Sequence, residues 1–292
     1  MLLNICHRTV YRYVRPVQLS AHRIMTCPRG RYDLKLIKTL LSTDPPASID
    51  WTQDVFGNLI ATAGFSGTTE TLVIDSRVVV EQSATNWPIF SIRPSAHEYP
   101  FDYDADELTD LGALLVAETE SNHEIVREWA RSFLMGSHPD TLSLIKAINE
   151  GVHREIRYRW REEEGTQTAA ETLAMLSGSC RDMATLLVQA MRHLGIAARI
   201  VSGYLFDADR GERHGATHAW GEVYLPCAGW IAFDPTNARM GNAYLIPVAV
   251  GRTISQVMPI TGSYIGAPED ISHMRVDVTV TRAAAVTQHA NS

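Results

Sequence analysis

One short stretch concentrates residue types that can do chemistry: Gly178-Ser179-Cys180-Arg181-Asp182. Apolar residues then recur at Met183, Leu187, Ala190, Met191 and Leu194, the spacing of a helix with one buried face, and Gly195 stands where such a helix would end. Ser179 and Asp182 have the Ser-x-x-Asp capping arrangement, which predicts Ser179 as N-cap and Cys180 as the first helical residue. A thiol there faces unsatisfied backbone N–H groups at the positive end of the helix dipole. That setting favours the thiolate, the nucleophilic form. The Cys180 N–H would also point at the oxyanion formed when sulfur attacks a carbonyl. The competing reading is a buried cysteine packing as a small hydrophobe.

A thiolate of this kind needs a base. In Thr217–Tyr224 the alternation puts His218, Trp220, Glu222 and Tyr224 on one strand face, and in Gly229–Asp234 it puts Trp230, Ala232 and Asp234 together. Leu225–Gly229 reads as the turn between them. A hairpin centred near Pro226 predicts His218 directly opposite Asp234, within reach of a hydrogen bond that would fix the tautomer and stabilise an imidazolium. A slip of one residue would send the two side chains to opposite faces. Taken singly, His218 reads as a half-buried structural histidine and Asp234 as the end of a strand before proline. Together with the capped cysteine they point to nucleophilic catalysis. Glu222 lies about 13 Å further along the strand and is read as structural or as a support to the site at one remove.

The elements that must position these residues follow a change of period. The first hundred residues read as β, with Thr9–Val14, Leu72–Ile74 and Arg77–Glu81 as the clearest strands and Lys35–Leu41 and Asn58–Ala63 as weaker ones. Turn signals lie between them at Pro28-Arg29-Gly30, Asp44-Pro45-Pro46 and Phe56-Gly57-Asn58. After Pro88, Pro94 and Pro100 the period becomes helical over Leu108–Thr119, Glu124–Leu134, Leu142–Tyr158 and Ala169–Leu176. Strands return at Ala198–Leu205, Thr217–Leu225, Gly229–Asp234 and Met274–Val280. The order predicts an antiparallel β-sandwich at 1–95, an α+β unit at 96–282, and a small, polar, disordered tail at 283–292.

Composition narrows the function classes. The 292 residues carry 26 Lys+Arg against 33 Asp+Glu, a net charge of −7. With no basic cluster, this argues against a nucleic-acid partner. No apolar run is long enough to span a bilayer and the first residues do not read as a signal peptide, so a cytoplasmic protein with no membrane partner is expected. Four cysteines, Cys6, Cys27, Cys180 and Cys227, form no C-x-x-C pair and are too few for a disulfide scaffold. Cys180, His214 and His218 match no zinc-site spacing, no calcium loop is present, and Glu162-Glu163-Glu164 reads as a solvated loop. No metal or cofactor is expected.

Gly178–Ala184, Arg192–Tyr204, His218–Pro226 and Gly229–Asn237 resemble the core motif of bacterial transglutaminase-like proteins. His7-Arg8-Thr9, with Tyr11 and Tyr13, and Asp54-Val55-Phe56-Gly57-Asn58 are similar to the β domain that precedes that core. Val248–Arg252 and Pro259–Tyr264 are similar to the end of the pattern. The resemblance covers nearly the whole chain except about 95–140. It implies a papain-like α+β core with Cys180 as nucleophile, His218 as base and Asp234 as orienting carboxylate. The implied chemistry is acyl transfer from an amide of a peptide or protein through a thioester. Two departures stand out: Cys227 at a turn position where glycine is common, and Arg181 near the thiolate. Tyr158 and Trp160 are candidates for a second oxyanion donor, and Trp220 and Arg181 for lining the cleft. A cysteine peptidase or amidase and a non-catalytic binding module are the alternatives. The oligomeric state is left open.

Overall fold

The computed structural model describes residues 1–85, 88–119, 122–160, 165–206 and 215–283. The expectations for Glu162–Glu164, for His214 and for the tail beyond Ala283 lie outside the described residues. The chain begins with β1 (Leu2–Leu19), β2 (His22–Ile24), β3 (Leu34–Asp44), β4 (Ser48–Gln53), β5 (Leu59–Gly64) and β6 (Thr68–Gln82). Helices α1 (Ala105–Leu111), α2 (His123–Arg131) and α3 (Thr141–Glu155) follow. A short strand β7 (Arg157–Tyr158) leads to α4 (Ala169–Met175), β8 (Ser177–Gly178) and α5 (Cys180–His193). Next come β9 (Ala198–Phe206), β10 (Gly215–Leu225), β11 (Gly229–Asp234), β12 (Arg239–Met240) and β13 (Leu245–Gly251). The last described strands are β14 (Ile260–Thr261), β15 (Tyr264–Ile265) and β16 (Ile271–Arg282).

Two antiparallel sheets form the N-terminal sandwich. In one, β1 pairs with β6, β15 and β16, and β3 flanks β6; the other runs β14-β2-β5-β4. Tyr13, Val17, Leu19, Ile24, Ala61, Ala63, Leu72 and Ile74 form a buried cluster contributed by strands of both sheets. Strand period 2 explains this choice, since β6 buries Leu72, Ile74, Val78 and Val80 on alternate positions. Burying each large aliphatic side chain contributes about 1.5–3 kcal/mol.

Here the chain departs from the expected division at 96–282. Thr279, Val280 and their neighbours in β16 pair antiparallel with β1, and β14 pairs with β2, so the C-terminal strands complete the N-terminal sheets rather than the helical unit. Alternating Val276, Val278 and Val280 announce a strand, but no local signal names a partner more than 250 residues away.

The second unit is a five-stranded sheet of order β12-β11-β10-β9-β13, with α5 against one face. Eleven residues of α5 are buried, from Asp182 to Arg192 without a break, so the helix runs through the core. Its polar members find partners inside: Gln189 accepts from the Glu118 N–H, and Arg192 donates through Nε and one terminal nitrogen to the carbonyls of Leu114, Ala198 and Arg252. Gly221 lets the helix approach, for a Cβ there would lie 3.0 Å from Leu187 Cδ2. Gly203 is tighter, since its Cβ would lie 2.1 Å from the Ile246 carbonyl oxygen on β13. None of the described helices is long and apolar enough to cross a membrane.

Candidate active site

The turn into α5 is built around Asp182, which has no exposed surface. Its Oδ2 accepts from the Ser179 N–H (2.7 Å) and the Ser179 hydroxyl (2.8 Å), and its Oδ1 accepts from the Gln167 N–H (2.7 Å). Ser179 is the N-cap and Cys180 the first helical residue. Gly178 permits this close turn, because a Cβ there would lie 2.8 Å from Asp182 Cβ. The thiol therefore stands at the end of the dipole, on a rigid, buried support.

His218 comes from β10 and Asp234 from the end of β11. His218 Nε2 lies 3.0 Å from Asp234 Oδ2, with His218 7% and Asp234 1% exposed. The hydrogen bond is present, but the register is not the expected one. The ladder runs from Leu225↔Gly229 to Gly221↔Phe233, two residues away from pairing His218 with Asp234. The hairpin loop is Pro226–Ala228, with Cys227 at φ 69° and Gly229 at φ 73°, so its centre falls on Cys227. A slip of two keeps every side chain on its face, and the histidine reaches the carboxylate diagonally.

Because Nε2 is engaged by Asp234, the other ring nitrogen serves the thiol, with which His218 is hydrogen-bonded. Burial alone would raise the Cys180 pKa. The His218 hydrogen bond and charge, the Ala219 backbone N–H and the Arg181 charge outweigh it, and the thiol is lowered below its ordinary value. Burial would lower His218, but the charge and hydrogen bond of Asp234, together with Cys180, raise it to about 10. Burial would raise Asp234, yet the His218 charge and hydrogen bond and the Asn237 bonds hold it below the usual carboxylate range. The three groups favour a thiolate, an imidazolium and a carboxylate together.

The residues that hold Asp234 escaped the sequence reading. Asp234 Oδ1 accepts from the N–H groups of Thr236 (3.0 Å) and Asn237 (3.3 Å), and Oδ2 accepts from Asn237 Nδ2 (2.7 Å). The signal was present, since an aspartate followed by Pro-Thr-Asn is a side-chain-capped turn. His153 of α3 in turn bonds the Thr236 carbonyl at 3.0 Å.

The other candidates separate. Tyr158 pairs with Gly178 in a two-stranded parallel ladder, close enough to Cys180 for the thiolate charge to raise the phenol pKa, although burial is the larger cause. Trp160 is 67% exposed and lies beyond the end of β7. Arg181 is half-buried beside the thiol. Trp220 was expected to line the cleft, and instead it has no exposed surface. Its indole stacks beside His218, with ring centroids 6.1 Å apart and planes 27° apart. Glu222 is ion-paired with Arg199 at 2.7 Å, and Arg199 lies 4.1 Å from the centroid of the Trp230 ring.

Residues 127–235 match the model of the transglutaminase-like superfamily, and residues 3–81 match that of the bacterial transglutaminase-like N-terminal region. The chain carries a transglutaminase-like core behind a bacterial transglutaminase-like N-terminal region. Together the two regions take in the first six strands, α5 and the His218–Asp234 hairpin. An uncharacterized protein of Mycobacterium tuberculosis is 28% identical, the match covering 94% of this chain and 91% of the relative. One from Mycobacterium leprae is 26% identical over 97% of this chain and 99% of its own. In fold, the chain resembles a presumed cysteine protease from Cytophaga hutchinsonii, solved to 1.9 Å, with a TM-score of 0.73 and 20% identity over 97% of this chain and 92% of that one. That likeness supports the two-part α+β architecture of this transglutaminase-like chain.

Proposed function

We propose that the chain is a cysteine acyltransferase acting on amide bonds of a peptide or protein. Cys180 is the nucleophile, His218 the general base and acid, and Asp234 the orienting carboxylate. The observation that carries this reading is one continuous hydrogen-bonded line, from the capped thiol through the imidazole to a carboxylate that is almost wholly buried. Such a carboxylate, with every oxygen occupied, is costly to bury unless it serves a charged partner.

In the reaction, the Cys180 thiolate attacks the amide carbon and a tetrahedral oxyanion forms. The Cys180 N–H at the helix start stabilises it, with the Tyr158 hydroxyl as second donor. The C–N bond then breaks, His218 gives its proton to the leaving nitrogen, and a thioester remains. A primary amine, or water, attacks the thioester while His218 takes its proton, and the thiolate leaves. A non-catalytic binding module has no need of a buried charge line ending on a nucleophile. The test is incubation with a glutamine peptide and a primary amine, followed by measurement of ammonia, amine adduct and cleaved peptide. Ammonia with the adduct supports transfer. Cleaved peptide alone makes the enzyme a peptidase, and no product with any acceptor or amide peptide refutes the reading.

A further inference from the structure

The N-terminal sandwich reaches into the second unit through the loop Asp54-Val55-Phe56-Gly57-Asn58, and the loop is held on every side. Asp54 Oδ1 accepts from the N–H groups of Phe56 and Asn58 (both 2.9 Å), and Oδ2 accepts from Asn58 Nδ2 (2.8 Å). Asn58 is fully buried and imitates a strand: its Nδ2 donates to the Val250 carbonyl (2.7 Å), and its Oδ1 accepts the Val250 N–H (2.9 Å). Arg29 donates to the Phe56 carbonyl (2.7 Å) and to Asn58 Oδ1 (2.6 Å). Val55 at the tip is 95% exposed, whereas the neighbouring Phe56 turns inward.

Phe56 packs against the buried cluster of Val201, Trp220, Ala232, Leu245 and Val250. Trp220 is the member that stacks beside His218. The two ring nitrogens of His218 fix its ends on Asp234 and Cys180, and the indole supplies a wall for its plane. Trp220 is fully buried in that cluster, and Phe56 packs on the cluster from the other unit, as Leu205 does from β9. We propose that Phe56 is a positioning residue for His218, acting through Trp220, so that the sandwich is a structural part of the active site rather than a detachable recruitment module. This rests on the catalytic reading of Cys180 and His218.

Among the described residues, the charged groups acting on the Cys180–His218 pair are Asp234 of β11 and Arg181 of α5, and the titratable Tyr158 of β7 lies near Cys180. A change at Phe56 removes neither charge, so any shift in thiol reactivity reports position. The experiment measures the rate of Cys180 carboxamidomethylation by iodoacetamide across pH, with melting temperature as the check of folding. Phe56→Ala is expected to stay folded, to react about threefold more slowly near pH 6 and to move its rising limb towards that of an ordinary thiol. Phe56→Leu restores most of the rate, and Val55→Ala at the exposed tip keeps the wild-type profile. A folded Phe56→Ala protein with the wild-type profile overturns the proposal. Should Phe56→Ala not fold, Phe56→Val replaces it; a shift in the same direction supports the proposal and an unchanged profile overturns it. Failure of the catalytic reading shows itself separately, as a wild-type Cys180 no more reactive than Cys227.

Discussion

Asp234→Asn removes one charge and keeps the shape, yet the geometry leaves the new amide no good orientation. Both oxygens of Asp234 accept two bonds each: Oδ1 from the N–H groups of Thr236 and Asn237, and Oδ2 from His218 Nε2 and Asn237 Nδ2. Whichever way the asparagine turns, its NH₂ faces two donors. If the NH₂ faces His218, Nε2 must become an acceptor, and the proton moves to the nitrogen that should receive one from the thiol. The base is then lost, and an acyl-transfer rate lower by about 10⁴ is expected, the scale of a triad aspartate-to-asparagine change in serine proteases. Thiol reactivity can be bounded independently. An ordinary thiol with a pKa near 8.5 is ionised only to about 0.3% at pH 6, so losing the ion pair can cost at most about 300-fold in thiolate there. The more basic thiolate is intrinsically more nucleophilic and recovers part of this, leaving a drop in alkylation at pH 6 of several-fold and at most about tenfold. Above about pH 9 both thiols are ionised, and the variant equals or overtakes the wild type. Stopped-flow or mass-spectrometric alkylation rates from pH 5 to 10 give the answer, and a folded Asp234→Asn protein with the wild-type rate at pH 6 refutes the reasoning.

Asn237→Ala deletes the 2.7 Å bond to Asp234 Oδ2. At about 1.5–3 kcal/mol for a bond to a charged group, a loss of about tenfold or more in rate at neutral pH is expected in turnover assays. Gly203→Ala forces a Cβ to within 2.1 Å of the Ile246 carbonyl oxygen, a backbone atom that cannot step aside, and denaturant melts should show at least about 3 kcal/mol of destabilisation. Asn58→Ala strands the buried N–H and carbonyl of Val250 and should cost about 3 kcal/mol by the same method. His218 is raised to about 10 from an unfolded value near 6.5, so its charged form stabilises the fold fully below about pH 6.5, and that contribution is lost as pH rises through about 10. The melting-temperature gap between wild type and His218→Gln should be widest near pH 6 and narrow towards pH 10, and a gap that widens would contradict the sign.

How much could be read in advance followed the range of the interaction. The cap of α5 was legible because Ser179, Cys180 and Asp182 lie within one helical turn and their types are dictated by unsatisfied N–H groups. The common face of His218 and Asp234 was legible from the period of 2. The register was missed by two because the left-handed conformation of Cys227, a residue with no special liking for it, moves the centre of the turn by one residue. Trp220 and Glu222 share the face of His218, and alternation could not say that Trp220 is fully buried in a cluster on which Phe56 of the sandwich loop packs. The pairing of β16 with β1 joins the two ends of the chain, and alternating valines carry no address. Strand β4 went unread because its residues are nearly all exposed and carry no hydrophobic alternation.

The central claim is that Cys180 is a thiolate held by His218 in the resting protein. The direct measurement is a competition within one molecule: limiting iodoacetamide at pH 6, followed by mass spectrometry of the peptides that carry Cys180 and Cys227. Cys227 is exposed, whereas Cys180 is only partly so, and accessibility alone therefore favours Cys227. The account predicts that Cys180 is labelled first, and that His218→Gln abolishes its lead. Labelling of Cys227 first, with Cys180 no faster in wild type than in His218→Gln, would contradict it.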